Sequence, residues 1–299
     1  MHQSRKRILV YFECDLTCVL LLASSPSSIH NFNLFSLLRV FVTTLPSELQ
    51  GHVYFITLNR TEKNNAFDDC LLNDLQKVLD HALANDDVRI IVLKANGAHF
   101  SAGADLAWMQ RMAHFSEAEN IADASVLARL MHTLYQSPKP TIAMVQGAAF
   151  GGGAGLVAAC DIAIAANTAR FCFSEVKLGL IPAVISPYVI QAIGEKAATA
   201  LFMSAEQFTA QRAYELQLIH HCVPENDLLT YTLDFAKNMA QLAPHAVRAS
   251  KALVREVKGK PIDETLLLRT ATLIAKQRVS VEGQRGLNAF LNKEKLTWD

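Results

Sequence analysis

Along residues 52–58 apolar and polar positions alternate as they do in a strand, and the stretch 59–65 has the composition of a turn. Leu71, Leu72, Leu75, Val78, Leu79, Ala82 and Leu83 then recur at the three-and-four spacing of an amphipathic helix. Two further runs, 88–93 and 141–145, are apolar at almost every position and are bounded by Asp87 and Asn96-Gly97, and by Pro140 and Gly147. A strand with no polar face suits a buried sheet covered by helices on both sides. The order strand, helix, strand, helix (about 117–136), strand, glycine-rich turn, helix, strand (161–165) predicts an α/β fold on a parallel sheet. Beyond Glu195 the pattern changes to helical segments separated by Pro224, Pro244, Gly259 and Pro261, so the C-terminal third is predicted to be a helical layer.

The first forty residues do not share this pattern. Arg5, Lys6 and Arg7 precede an apolar run that Glu13 and Asp15 interrupt, and Ser24, Ser25, Pro26, Ser27 and Ser28 follow. The segment imitates a signal peptide, but only 16–23 is uninterrupted, too short to span a bilayer. Residues 1–45 are therefore expected to be an extension outside the folded domain, with translation starting near Val40 or Val42 favoured over a cleaved mitochondrial leader. The expected location is cytoplasmic, or the mitochondrial matrix in a eukaryote, with no membrane partner.

Composition narrows the function. Lys plus Arg and Asp plus Glu both number 28, and with no basic excess nucleic acid is not expected as a partner. The six cysteines form no CxxC pair, which argues against a zinc knuckle or a disulfide framework. His220 and His221 stand together in what reads as a strand or loop, without the helical spacing of a ligand pair, so no metal is expected.

Chemistry concentrates in three segments. The turn Ser101-Ala102-Gly103-Ala104-Asp105 follows a buried strand, and its small residues leave the main chain open to a ligand. It reads equally as an ordinary strand-to-helix turn. The second turn runs from Gly147 to Gly155 through Gly151-Gly152-Gly153 and opens a helix, whose bare N-terminus attracts an anion or a polarised oxygen. It lacks the Lys-Ser/Thr of a phosphate loop, and GxxxGGGxG is a poor dinucleotide fingerprint, although phosphate binding stays open. The third segment carries Glu175, flanked by Phe173 and Val176 and leading into Leu180 and Ile181. Either it is a solvated surface group, or its apolar neighbours desolvate it, raise its pKa and suit it to proton exchange with a carbon acid.

Taken together, these segments resemble the crotonase (enoyl-CoA hydratase/isomerase) superfamily from about residue 46 to Trp298. Asn59-Arg60 with Lys63, Asn65 and Ala66, Pro138-Lys139-Pro140, Cys160-Asp161-Ile162, the run from Glu175 to Pro182 and the tail Glu282-Gly283 with Asn288-Ala289-Phe290-Leu291 all take part in the resemblance. It implies an α/β crotonase (ClpP-like) spiral of ββα repeats over 46–240. It also implies a helical trimerisation region over 241–299, assembled as a homo-trimer or a dimer of trimers.

By resemblance, the backbone N–H groups of Ala104 and Gly152 form an oxyanion hole for an acyl-CoA thioester, and Glu175 is the acid–base group. Lys63, Ala66, Ala102, Asp105, Gly151, Pro182 and Lys293 fall at substrate or coenzyme A positions, with Lys295 beside the last. Trp108, Met109, Met112, Ile185 and Tyr188 fall near the acyl chain, where ordinary core packing is the competing reading. No cofactor is implied beyond the coenzyme A carried by the substrate. The family's hydratases usually carry a first glutamate just after the glycine turn, and Gly155 stands there instead.

A single glutamate is the pattern of the Δ3,Δ2-enoyl-CoA isomerases. Against this, 104–112 and 171–188 look like the branch containing methylglutaconyl-CoA and carboxygeranoyl-CoA hydratases of leucine and acyclic-terpene breakdown, which is the favoured reading. A hydrolase or decarboxylase built on the same oxyanion hole stays open, as does a non-catalytic RNA-binding or scaffold protein. Arg111 and Lys177 are candidate partners for a second carboxylate on the substrate.

Overall fold

The computed structural model describes residues 44–298; the leader-like segment and the break expected at Thr43 lie outside the described residues. Strands β1 (Ser47–Gln50), β2 (Val53–Leu58), β3 (Ile90–Ala95), β4 (Thr141–Val145), β6 (Ile162–Ala166) and β9 (His221–Val223) form a six-stranded sheet in the order β1-β2-β3-β4-β6-β9. Only the β1–β2 hairpin is antiparallel.

Both faces of this sheet's central strands β2, β3 and β4 are buried, as the unbroken apolar runs predict, while β1 at the edge is exposed. Tyr54, Ile56, Ile91, Leu93, Ala143 and Val145 point into a core with helices α1 (Asp69–Ala84), α3 (Glu117–Gln136) and α4 (Gly152–Ala159). Their neighbours Val53, Phe55, Ile90, Val92, Ile142 and Met144 meet Leu228, Ala236 and Ala240 of α7 (Leu228–Ala240) on the other face. α1 is capped by Asp68, whose carboxylate accepts from the N–H of Leu71, and α3 opens with a capping box between Ser116 and Glu119. At its far end α1 receives the ammonium of Lys139, a buried side chain that donates to the carbonyls of Ala82 and Asn85 at 2.8 and 2.5 Å.

A second sheet, made of β5 (Ala148–Phe150), β7 (Arg170–Cys172) and β8 (Phe208–Thr209), is absent from the sequence expectation. Its strands are two or three residues long, too short to show a period. The helical layer expected beyond Glu195 is likewise interrupted by β8 and β9. The layer otherwise comprises α5 (Ser186–Ser204), α6 (Ala210–Glu215), α7, α8 (Pro244–Val257), α9 (Glu264–Val279) and α10 (Val281–Leu291). Between β3 and α3 lies the short α2 (Leu106–Met112).

α8 is tied to the sheet by charge. Asp161, just before β6, accepts from the N–H and hydroxyl of Thr141 at 2.8 and 2.9 Å, and Lys251 of α8 donates to the same carboxylate at 2.5 Å. α9 and α10 bury only Ala289 and leave Leu267, Leu268, Ile274, Val281, Phe290 and Leu291 exposed. No helix among the described residues is long and apolar enough to cross a membrane.

Candidate active site

Parallel pairing brings the three predicted segments together, because parallel strands release their following loops at the same edge. β5 and β7 run side by side with Phe150 opposite Cys172, so the start of α4 and the turn bearing Glu175 emerge next to each other. The loop after β3 joins them through a parallel bridge between Ser101 and Ala149, with Ser101 N–H donating to the Ala148 carbonyl and Phe150 N–H to the Ser101 carbonyl. Asn65 fixes the remaining wall: its amide donates to the carbonyls of Asn96 and His99 at 2.9 and 2.8 Å while its oxygen accepts from Arg60 N–H.

Within the first turn nearly every donor is used. Ala102 N–H reaches the Asn64 carbonyl, Gly103 N–H the Ser101 hydroxyl, and Asp105 N–H the Phe67 carbonyl. Phe67 in turn donates to the Gly103 carbonyl at 2.7 Å, a bridge that turns Ala104 N–H to the opposite side. In the second turn Gly151 N–H is held by the Cys172 carbonyl and Gly155 N–H by the Gly151 carbonyl. Among the described residues, Ala104 N–H and Gly152 N–H, the latter in the first turn of α4, donate to no protein acceptor.

Phe67 also borders Gly152, since a Cβ there would lie 3.3 Å from its ring, and a Cβ on Gly153 would meet Ser101 at 2.9 Å. This close approach is what the glycine run permits. Two preorganised donors on either side of one aromatic residue suit an oxygen that gains negative charge during reaction.

Glu175 opens a single 3-10 turn, Glu175–Leu178, that Gly179 ends at φ 73°. Its Oε1 lies 3.2 Å from where a Cβ on Gly151 would stand, and its Oε2 is buried with no hydrogen-bond partner among the described residues. Burial pushes its pKa above the usual carboxylate value, against a smaller opposing effect of its own backbone N–H. Of the two apolar neighbours in the sequence, Phe173 is fully buried with its ring against Phe202 and Phe208, whereas Val176 is 36% exposed.

Position 155, where a first glutamate would stand, is closed. A Cβ on Gly155 would fall 2.2 Å from Cγ2 of Ile185 and 3.1 Å from Cε of Met131. Glu175 therefore has no second carboxylate facing it from that position.

The remaining expected site residues divide. Ala102 and Ala104 are exposed in the turn, Met109 is half-buried on α2, and Gly151, Pro182 and Ala66 are buried, Ala66 with its carbonyl accepting from Arg60. Lys63 is exposed and 3.8 Å from Asp105. Asp105 itself is committed to the fold: its carboxylate caps α2 through Ala107 and Trp108 N–H and meets Arg60 at 3.3 Å. Burial would raise its pKa, but those N–H groups with Lys63 and Arg60 together hold it below the usual value.

Trp108 is buried and donates its indole N–H to Asp123 at 3.0 Å, and Met112 packs against the same core. Tyr188 has its ring 5.4 Å from that of Tyr135 and lines a cleft of about 1070 Å³ with Asp161, Lys251 and Arg255. None of Ala104, Gly152 and Glu175 lines that cleft. Lys293 and Lys295 are exposed beyond α10. His220 accepts from Ala163 N–H and His221 pairs with the Tyr231 hydroxyl, so both imidazoles have structural partners.

The family model for enoyl-CoA hydratase/isomerase matches residues 48–299. The chain belongs to the enoyl-CoA hydratase/isomerase family. A crystal structure of a Legionella pneumophila protein assigned to the crotonase group superposes with a TM-score of 0.83 at 62% identity, covering 85% of this chain and 98% of that one. An enoyl-CoA hydratase from Shewanella pealeana gives 0.82 at 46% identity, over 88% and 98%. The 2,3-dehydroadipyl-CoA hydratase of Escherichia coli is 31% identical over 245 residues, 82% of this chain and 94% of that protein. The fold is therefore the crotonase fold, with its mostly parallel sheet and C-terminal helices.

Proposed function

We propose that this member of the family adds water across the 2,3 double bond of an enoyl-CoA with Glu175 as its only acid–base group. The proposal is supported by the Ala104 and Gly152 N–H groups, which have no protein acceptor among the described residues, and by a buried Glu175 carboxyl oxygen without a partner among them, on a side chain that lies against Gly151. In this reading ionised Glu175 takes a proton from water as the water oxygen bonds to Cβ. The π electrons move toward the thioester, whose oxygen gains charge against the two N–H groups. Glu175 then returns its proton to Cα, and the enzyme is restored. Each oxyanion donor contributes on the order of 3 kcal/mol to such a step. Coenzyme A enters as part of the substrate, and no further cofactor is required for proton transfer.

For the acyl group we propose a 3-methylglutaconyl-like thioester, supported by the sequence of 104–112 and 171–188. A relative named for 2,3-dehydroadipyl-CoA, whose acyl chain also ends in a carboxylate, fits the same class. Of the two candidate cations for that carboxylate, Arg111 is paired with Asp69 at 2.5 Å, while Lys177 has no acidic partner among the described residues and is the freer to meet it. Exposed apolar side chains along α9 and α10 fit a trimer-based assembly.

One observation favours a second reading. With position 155 closed, a lone carboxylate can move a proton from one carbon to another, as a Δ3,Δ2-enoyl-CoA isomerase does. Incubation with 3-methylglutaconyl-CoA, crotonyl-CoA and a 3-enoyl-CoA, followed by absorbance of the conjugated thioester and product mass, separates the two. Hydration fastest on the branched diacid supports the proposal, and conversion of the 3-enoyl substrate without gain of water refutes it in favour of the isomerase.

A further inference from the structure

Between β7 and α5 the chain crosses the face of α4 and touches it at two points one helical turn apart. Glu175 lies over Gly151, its Oε1 3.2 Å from the space a Cβ would take, and Ile185, immediately before α5, lies over Gly155 with its Cγ2 driven into the Cβ space itself. Gly151 and Gly155 are successive rungs, since Gly155 N–H donates to the Gly151 carbonyl at 3.1 Å. Within the intervening segment Leu178, Leu180 and Ile181 are 60, 53 and 73% exposed, Pro182 is buried and Val184 packs partly against the core, while Ile185, 2% exposed, is the residue that reaches into Gly155 of α4. The segment's internal bonds, such as Leu180 N–H to the Glu175 carbonyl, hold the turn together but do not attach it to α4.

We propose that Ile185 is a positioning residue for catalysis: its β-branch, seated on Gly155, clamps the segment onto α4 so that the Glu175 carboxylate stays over Gly151 and away from water. The inference rests on Glu175 being the acid–base group. Shape is what matters at the clamp. Cγ2 is the atom that enters the Gly155 notch, and a side chain without a β-branch leaves the notch empty at equal volume.

The test compares Ile185→Ala, Ile185→Leu and Ile185→Val in the full chain, reading kcat, KM, Tm and the acid limb of the kcat profile. The Ala and Leu variants are expected to lose about 10- to 100-fold in kcat, the effect of a misplaced catalytic group. Their acid limb should move down toward that of an ordinary carboxyl as water reaches Glu175. Val keeps Cγ2 and should keep the limb. If Ala fails to fold, Leu carries the comparison at unchanged side-chain volume. A lower Tm with an unmoved limb in Leu would reduce Ile185 to ordinary packing and overturn the inference. Full activity of Glu175→Gln would overturn the acid–base reading and the clamp with it, an outcome distinct from any behaviour of the Ile185 variants.

Discussion

Replacing Glu175 by Gln keeps the shape of the side chain and removes its capacity to carry a proton. Oε2 has no partner among the described residues, so the substitution breaks no hydrogen bond at that atom, and the change falls on chemistry. General acid–base catalysis contributes about 10²- to 10⁴-fold, and at ~1.4 kcal/mol per decade the loss in kcat corresponds to about 3–5 kcal/mol of transition-state stabilisation. KM should change little. Stability should move the other way. Because the folded-state pKa of Glu175 is raised, its contribution to stability is full at low pH and is lost as pH rises through that raised value. At neutral pH the wild type holds a desolvated charge that Gln does not, and the variant should melt no lower. The same sign governs the wild-type rate: kcat/KM should fall as pH drops through the raised pKa, at a pH above the ordinary carboxyl value of 4.5. Absorbance assays at saturating thioester, run beside thermal melts, read both effects. Turnover of Glu175→Gln within about threefold of wild type, well short of general acid–base magnitudes, would refute the reasoning.

Gly152→Pro removes one of the two N–H groups assigned to the oxyanion at the first position of α4, where the ring meets Phe67; kcat should drop about 10²- to 10³-fold while thermal melts report the fold. Gly155→Glu should not create a two-carboxylate hydratase, because its Cβ would collide with Ile185; a stability loss of about 1–3 kcal/mol or more in urea unfolding is expected, with no gain in hydration rate. Lys251→Met deletes the charged bond from α8 to Asp161 and should lower stability by about 2–3 kcal/mol, with substrate preference unchanged.

The large elements were legible from local pattern. The apolar run 141–145 is β4, and the helix expected near 117–136 is α3, because an unbroken apolar strand and a capping box are signals contained in a few adjacent residues. The candidate site was legible as three segments but not as a geometry. That Ala104 N–H is left without an acceptor follows from Phe67 pairing with 103–105, a contact across 36 or more residues that no local period announces, whereas the free Gly152 N–H follows from its place at the start of α4. The second sheet escaped because β8 is two residues long, yet β5 and β7 are what place Glu175 beside Gly151. Asp105 and Trp108, read as site residues by resemblance, also carry structural roles, as a helix cap and a buried indole bonded to Asp123. A signal for Asp105 was present, since an acid directly before an apolar helical run is an N-cap pattern. Nothing in the sequence marked Ile185 as the residue that closes position 155, because its partner is met only when α5 packs on α4.

The central claim is that one carboxylate, Glu175, hydrates an enoyl thioester. It is tested most directly by incubating wild type and Glu175→Gln with 3-methylglutaconyl-CoA in water enriched in heavy oxygen and weighing the product. Label on the β-carbon hydroxyl with wild type, and none with Glu175→Gln over the same interval, is the expected result. Label appearing equally with both proteins, or a converted thioester that carries no label, would contradict it.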